Sequence, residues 1–199
     1  MSHDPQIRRP ARRLHTGLIA GLLLLGACGT ASSDLPLSSP AASQSEGAED
    51  VHYADEAKGF AITHPSDWTE REDENGLDVT FVAPLGLADE FAENLGVLAV
   101  GSLPQNTTFA QYEKMGNSMF EEAWGAQVCC AEKIEVGGYP AYLDRYEMEP
   151  VPDRPVKGVQ WTVLAEDEVF ILTYTGHPDG GFDEWLAEGT EIVESFEVI

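Results

Sequence analysis

The chain has 199 residues, a net charge of −24 at neutral pH from 35 acidic against 11 basic residues, and 43% hydrophobic residues. Such acidity argues against nucleic acid as a partner, because phosphate binding needs Lys and Arg to displace counterions, and it disfavours docking on anionic lipid head groups. Length alone allows little more than one domain.

The first segment is an address. Arg8, Arg9, Arg12 and Arg13 form a basic block, and the apolar run Leu18 to Ala27 follows directly, in the order of a secretory signal. As a helix that run is about 15 Å long, half of the ~30 Å that a membrane span must cross. No polar residue interrupts it at 3.6 spacing, as a core helix would require. Leu14, His15 and Thr16 stand where a twin-arginine signal prefers apolar residues, which favours the general secretory route. Leu25, Gly26, Ala27 and Cys28 resemble the lipobox of bacterial lipoprotein signal peptides. The resemblance implies cleavage before Cys28 and alkylation of its thiol with a diacylglycerol, so that residues 1–27 are a lipoprotein signal peptide and Cys28 is the lipid-attachment site. Two acyl chains, at about 0.8 kcal/mol per buried CH₂, make a stable anchor where one gives only marginal binding. Localisation follows: the cell membrane, on its extracytoplasmic face, held by palmitate-type acyl chains.

Loss of residues 1–27, with four Arg and Asp4, removes a net +3, so the chain goes from −24 to −27 over 172 residues (199 minus 27). A surface of that sign attracts cations or a basic partner, and it also keeps a protein soluble by self-repulsion. Residues 28–50, "CGTASSDLPLSSPAASQSEGAED", have no aromatic residue and no periodicity, and read as a flexible tether. Some 22 such residues span roughly 25 Å in root-mean-square terms, from about 5 to 6 Å times the square root of their number.

Residues 51–199 then form a single domain that holds all four Trp and all eight Phe. A short strand near Val51 to Tyr53 precedes the turn Lys58-Gly59, and Phe60 to His64 alternates as a second strand. Trp68 to Asp73 and Leu77 to Ala83 flank Asn75-Gly76 as a hairpin; "EDENG" (Glu72 to Gly76) is therefore a turn, since a calcium loop would place Arg71 at its first ligand position. "NLGVLAVGSLP" supplies a largely apolar strand. Thr108 with Gln111 makes a capping box, and Phe109, Tyr112, Met119 and Phe120 predict an amphipathic helix over Thr108 to Trp124. Strands follow over Gln127 to Val136, Tyr139 to Met148, Gly158 to Ala165 and Val169 to Thr175. Asp179, Gly180 and Gly181 mark a break before a second helix with Phe182, Trp185, Leu186 and Val193 on its apolar face. This order specifies α+β: a mainly antiparallel sheet covered by two main helices.

"GFAITHPSDWTE", with Phe60, Ile62, Pro65 and Trp68, resembles the opening signature of PsbP-like domains. "EVGGYPAYLDRYE" and "GVQWTVLAEDEVFILTYTG" resemble the Gly-Tyr-Pro-Ala hairpin and paired strands of that fold. Among its members, LpqN-type actinobacterial lipoproteins are similar in joining a lipobox, a low-complexity tether and one such domain. The resemblance implies a central antiparallel sheet covered by helices, and a binding or accessory role without a common active site.

Cys129-Cys130 departs from that pattern. With Cys28 committed to lipid, the two can pair only with each other or with another molecule. Adjacent Cα atoms are 3.8 Å apart, below the usual 4.4 to 6.8 Å of a disulfide, and successive strand side chains point to opposite faces. Three readings stay open: ordinary thiols with at least one buried, a vicinal disulfide, or redox or metal chemistry helped by His52, His64 or His177. His64-Pro65 and His177-Pro178 read as strand ends, because the residue before proline is held extended. Trp68, Trp161 and Trp185 read as core before ligand wall, and Asn106-Thr107-Thr108 as a helix start as much as a sequon. No catalytic, phosphate-loop or dinucleotide motif is present in the sequence.

The expectation is therefore a membrane-anchored extracytoplasmic lipoprotein that is not an enzyme, with no cofactor, no metal site and no nucleic acid. It holds an unknown envelope protein or small ligand on its sheet face or in a groove beside a helix. The alternatives are an envelope redox or metal-linked protein using Cys129 and Cys130, and a structural envelope-assembly protein.

Overall fold

The computed structural model describes residues 49–72, 76–85, 91–178 and 182–199. The signal peptide, Cys28, nearly all of the tether, Asn75 and the Asp179 to Gly181 break lie outside the described residues. In chain order the elements are β1 (Asp50–Asp55), β2 (Phe60–Pro65), β3 (Thr69–Glu72), β4 (Val79–Val82), β5 (Asn94–Ser102), α1 (Phe109–Trp124), β6 (Gln127–Val136), β7 (Tyr139–Val151), β8 (Arg154–Ala165), β9 (Glu168–Gly176), α2 (Phe182–Glu194) and β10 (Glu197–Val198). Seven strands form one antiparallel sheet in the order β3-β4-β5-β9-β8-β7-β6, and β1-β2-β10 form a second, smaller one. The α+β expectation holds.

The core lies between the two sheets and under α2. Phe60 of β2 is fully buried, with its ring centroid 6.3 Å from those of Phe170 on β9 and Phe196 beyond α2. Phe81, Leu95, Trp161, Leu172, Tyr174 and Val193 complete the same cluster. Burying side chains of this size contributes about 1.5 to 3 kcal/mol each. The opposite face of the large sheet carries a smaller cluster of Ala126, Tyr146, Met148 and Val156, against which Phe120 and Trp124 of α1 pack.

Local chemistry explains the helix ends. Thr108 accepts from the Gln111 backbone N–H at 3.3 Å, and the Gln111 side chain accepts from the Thr108 N–H at 2.9 Å, so both orphan donors are satisfied. Gly125 closes the helix in the left-handed region at φ 63°. Yet no residue of α1 is fully buried. It touches β6 and β7 through rings such as Phe109 over Tyr142 (4.9 Å) and Phe120 against Tyr146 (4.8 Å), while Met119, expected on the apolar face, is 48% exposed.

Three elements go beyond the sequence reading. β7 and β8 run on to Val151 and Arg154, past Pro150 and Pro155, with Pro152 in the turn between them. A register shift between Met148 and Val151 accommodates a proline that cannot donate to the ladder, and Asp153 at φ 63° closes the turn. β10 pairs only Glu197 with Ala61 and Val198 with Phe60. Two residues carry no periodicity to read.

Candidate functional site

One row of the large sheet leads from the core to the site. Register pairs Phe81 with Leu95, Leu95 with Tyr174, Tyr174 with Val159, Val159 with Arg145 and Arg145 with Cys129. The row starts apolar and ends with a cation and a thiol, because β6 is the edge strand and little covers it. A groove of about 520 Å³ opens there. Its floor is β6, β7 and β8, with Cys129, Arg145, Glu147, Lys157 and Val159, and its far wall is the start of α2, with Phe182 and Asp183. That volume falls in the range of about 300 to 1,000 Å³ typical of small-molecule sites.

The groove holds both signs of charge. Lys157 Nζ lies 3.6 Å from Glu147 Oε1. For Arg145 no ion pair forms among the described residues, and Asp183 lines the same groove from the start of α2. Arg145 and Asp183 were not singled out by sequence reasoning; an isolated cation in an apolar-alternating strand of so acidic a chain was the available signal.

The cysteines depart from regular strand geometry. The β6–β7 register shifts between Cys129 and Glu132, and Cys130 adopts φ 69°. A non-glycine residue in that region costs about 1 to 3 kcal/mol and marks a constrained site. The bulge removes the alternation that would separate neighbouring side chains. The adjacent Cys130 thiol first, then slight burial, with the Cys130 and Glu147 charges adding, push the Cys129 thiol up; the Arg145 guanidinium opposes it. Both thiols are free and exposed. The expectation that at least one is buried is corrected: an edge strand with a bulge leaves neither face of β6 covered at this point.

The histidines do not join them. His52 is exposed on β1, and His64, 2% exposed, donates from Nδ1 to the Pro65 carbonyl at 2.8 Å while Nε2 meets Glu70 at 3.0 Å. Among the described residues no group of three metal-binding side chains forms. Trp68 and Trp161 are core residues, and Trp68 donates to Glu188 at 3.1 Å.

A second polar feature lies under α1. Asp144 on β7 is 1% exposed, faces Glu113 and Asn117 of α1, and has no full hydrogen bond to either carboxylate oxygen. Asn117 instead donates to Glu113 at 2.6 Å. Burial pushes the Asp144 carboxyl up, partly offset by Asn117 and Glu113; burial and then the Asp144 charge push Glu113 up, partly offset by Lys114. Groups raised in the folded state stabilise below their ordinary values, and that contribution is lost as pH rises through the raised ones. Asp144→Asn should therefore gain about 1 kcal/mol over the parent at neutral pH, where the buried charge is uncompensated, and lose the advantage on acidification. Denaturant unfolding at several pH values checks this.

No protein-family model and no curated protein matches the chain. Solved structures do. Cyanobacterial PsbP (CyanoP) from Synechocystis superposes with a TM-score of 0.56 over 88% of this chain and 99% of its own, at 18% identity. The fold is PsbP-like. LpqN of Mycobacterium tuberculosis, described as involved in cell envelope biogenesis, shares this PsbP-like fold at a TM-score of 0.55 and 13% identity, over 76% of this chain and 84% of LpqN. Mog1p, a Ran-binding protein of Saccharomyces cerevisiae, has a TM-score of 0.55 at 9% identity, over 76% and 96%. At these identities the likeness is one of fold. Among the described residues no helix is long and apolar enough to cross a membrane.

Proposed function

We propose that the chain is an envelope lipoprotein anchored through Cys28 on the extracytoplasmic face, and that its PsbP-like domain is a non-enzymatic accessory module. It holds a small polar ligand, or the end of a partner chain, in the groove between β6–β8 and α2. The observation that carries this reading is the groove itself, open at the uncovered end of the sheet and lined by Arg145, Glu147, Lys157 and Asp183. The lipobox and tether that precede the domain support the location, and the envelope role described for LpqN, which shares the fold, is consistent with it.

Two variants separate address from binding. Cys28→Ser should abolish metabolic labelling with a palmitate analogue and release the protein from membranes. Retention of this variant in the membrane fraction would sink the anchor. Arg145→Glu should leave labelling and location unchanged and lose crosslinked partners from native envelopes, in a salt-sensitive manner if the contact is ionic. Identical crosslinking patterns for parent and Arg145→Glu would move the binding surface away from the groove.

A further inference from the structure

We propose that Cys129 and Cys130 form a dithiol that exchanges with zwitterionic, peptide-like disulfides seated in the groove. The proposal deepens the groove reading and rests on it.

Three observations carry it. First, the bulge and the left-handed Cys130 break the regular alternation that would hold two neighbouring thiols on opposite faces of the strand. Second, both are exposed, and Cys129 lines the groove beside Arg145, so a seated ligand meets sulfur directly. Third, Lys157 and Glu147 of the groove already meet at 3.6 Å, which leaves the cation at Arg145 and the carboxylate at Asp183 as the complement of a molecule with a carboxylate and an ammonium group. With no third soft or imidazole ligand nearby among the described residues, the pair suits sulfur exchange better than a closed metal site.

The chemistry balances without an outside oxidant. The Cys129 thiolate, a minor species because the thiol is pushed up and only Arg145 favours its charge, attacks one sulfur of the disulfide, forming a mixed disulfide and expelling the first thiolate. The Cys130 thiolate then attacks the Cys129 sulfur, closing the Cys129–Cys130 bond and expelling the second. Two protein thiols lose two electrons and two protons, and the ligand disulfide leaves as two thiols. Adjacent cysteines close a strained ring, and strained exposed disulfides are the labile ones, so the reverse step is also accessible.

The test uses the full-length protein in detergent with oxidised glutathione as probe. Mass spectrometry of the peptide carrying both cysteines should show loss of two hydrogens, with two equivalents of reduced glutathione released. Cys130→Ser should stop at a mixed disulfide on Cys129 with one equivalent released, and Cys129→Ser should not close the bridge. Arg145→Gln should slow exchange with oxidised glutathione about tenfold and leave the rate with uncharged 2-hydroxyethyl disulfide unchanged. S-methylglutathione, which cannot exchange, should compete. If it binds while oxidised glutathione leaves both thiols intact, the dithiol proposal is overturned and the groove reading stands. If exchange is indifferent both to Arg145→Gln and to this competitor, the groove reading falls, and the proposal with it.

Discussion

Gly158→Val should lower the thermal midpoint of the domain by about 10 °C, corresponding to about 3 kcal/mol for a domain of this size. Gly158 on β8 sits opposite Tyr146 on β7, and a Cβ there would overlap the Tyr146 ring at Cζ and Oη. The ring cannot step aside, because it is 4% exposed, packs against Phe120, and shares a buried 2.8 Å hydrogen bond with Thr175. Burial drives the Tyr146 hydroxyl well above its ordinary pKa, which keeps it neutral and bonded. Any displacement leaves the Thr175 hydroxyl unpartnered and frees α1 from its best ring contact. Tyr146→Phe, which removes only the hydrogen bond, should cost about 1 kcal/mol. The double variant Gly158→Val with Tyr146→Leu should cost less than the two single changes together, since the second relieves the overlap created by the first. Additive losses measured by denaturant unfolding would show that Gly158 matters for a reason other than the ring.

Gly137→Val is the second severe change. Gly137 and Gly138 close the β6–β7 hairpin at φ 58° and 83°, the paired positive values of a two-residue hairpin turn. A Cβ on Gly137 would meet the Phe196 carbonyl oxygen, which is backbone and cannot rotate away. Backbone strain and steric overlap add to roughly 3 to 4 kcal/mol. Gly138→Val carries the same backbone strain with open space around its Cβ, so its loss should be about half as large. Equal losses at the two positions would mean that turn conformation alone decides, and that contact with Phe196 contributes nothing.

Much of the architecture was legible because local chemistry and tertiary demand agree. The Thr108–Gln111 capping box, the alternation from Phe60 and the paired glycines at 137 and 138 each specify an element by short-range physics. The extension of β7 and β8 was hidden by three prolines, whose missing donors a register shift and a left-handed Asp153 tolerate. The site was less legible for a related reason. The exposure of both Cys129 and Cys130 accompanies a bulge, which strand periodicity excludes by construction, and the gathering of Arg145 and Asp183 on one groove depends on where α2 lands. Asp144 gave no signal either, since alternation alone does not distinguish an aspartate under a helix from one in water.

The small sheet sets the order in which the molecule can be made. β2 is completed only by β10, and the Thr63 N–H to Ser195 hydroxyl bond ties together residues 132 positions apart. A chain that emerges amino-terminus first therefore cannot finish the central strand of this sheet until its last helix has followed. Such late, long-range closure slows folding and leaves β2 half-paired until the chain is nearly whole.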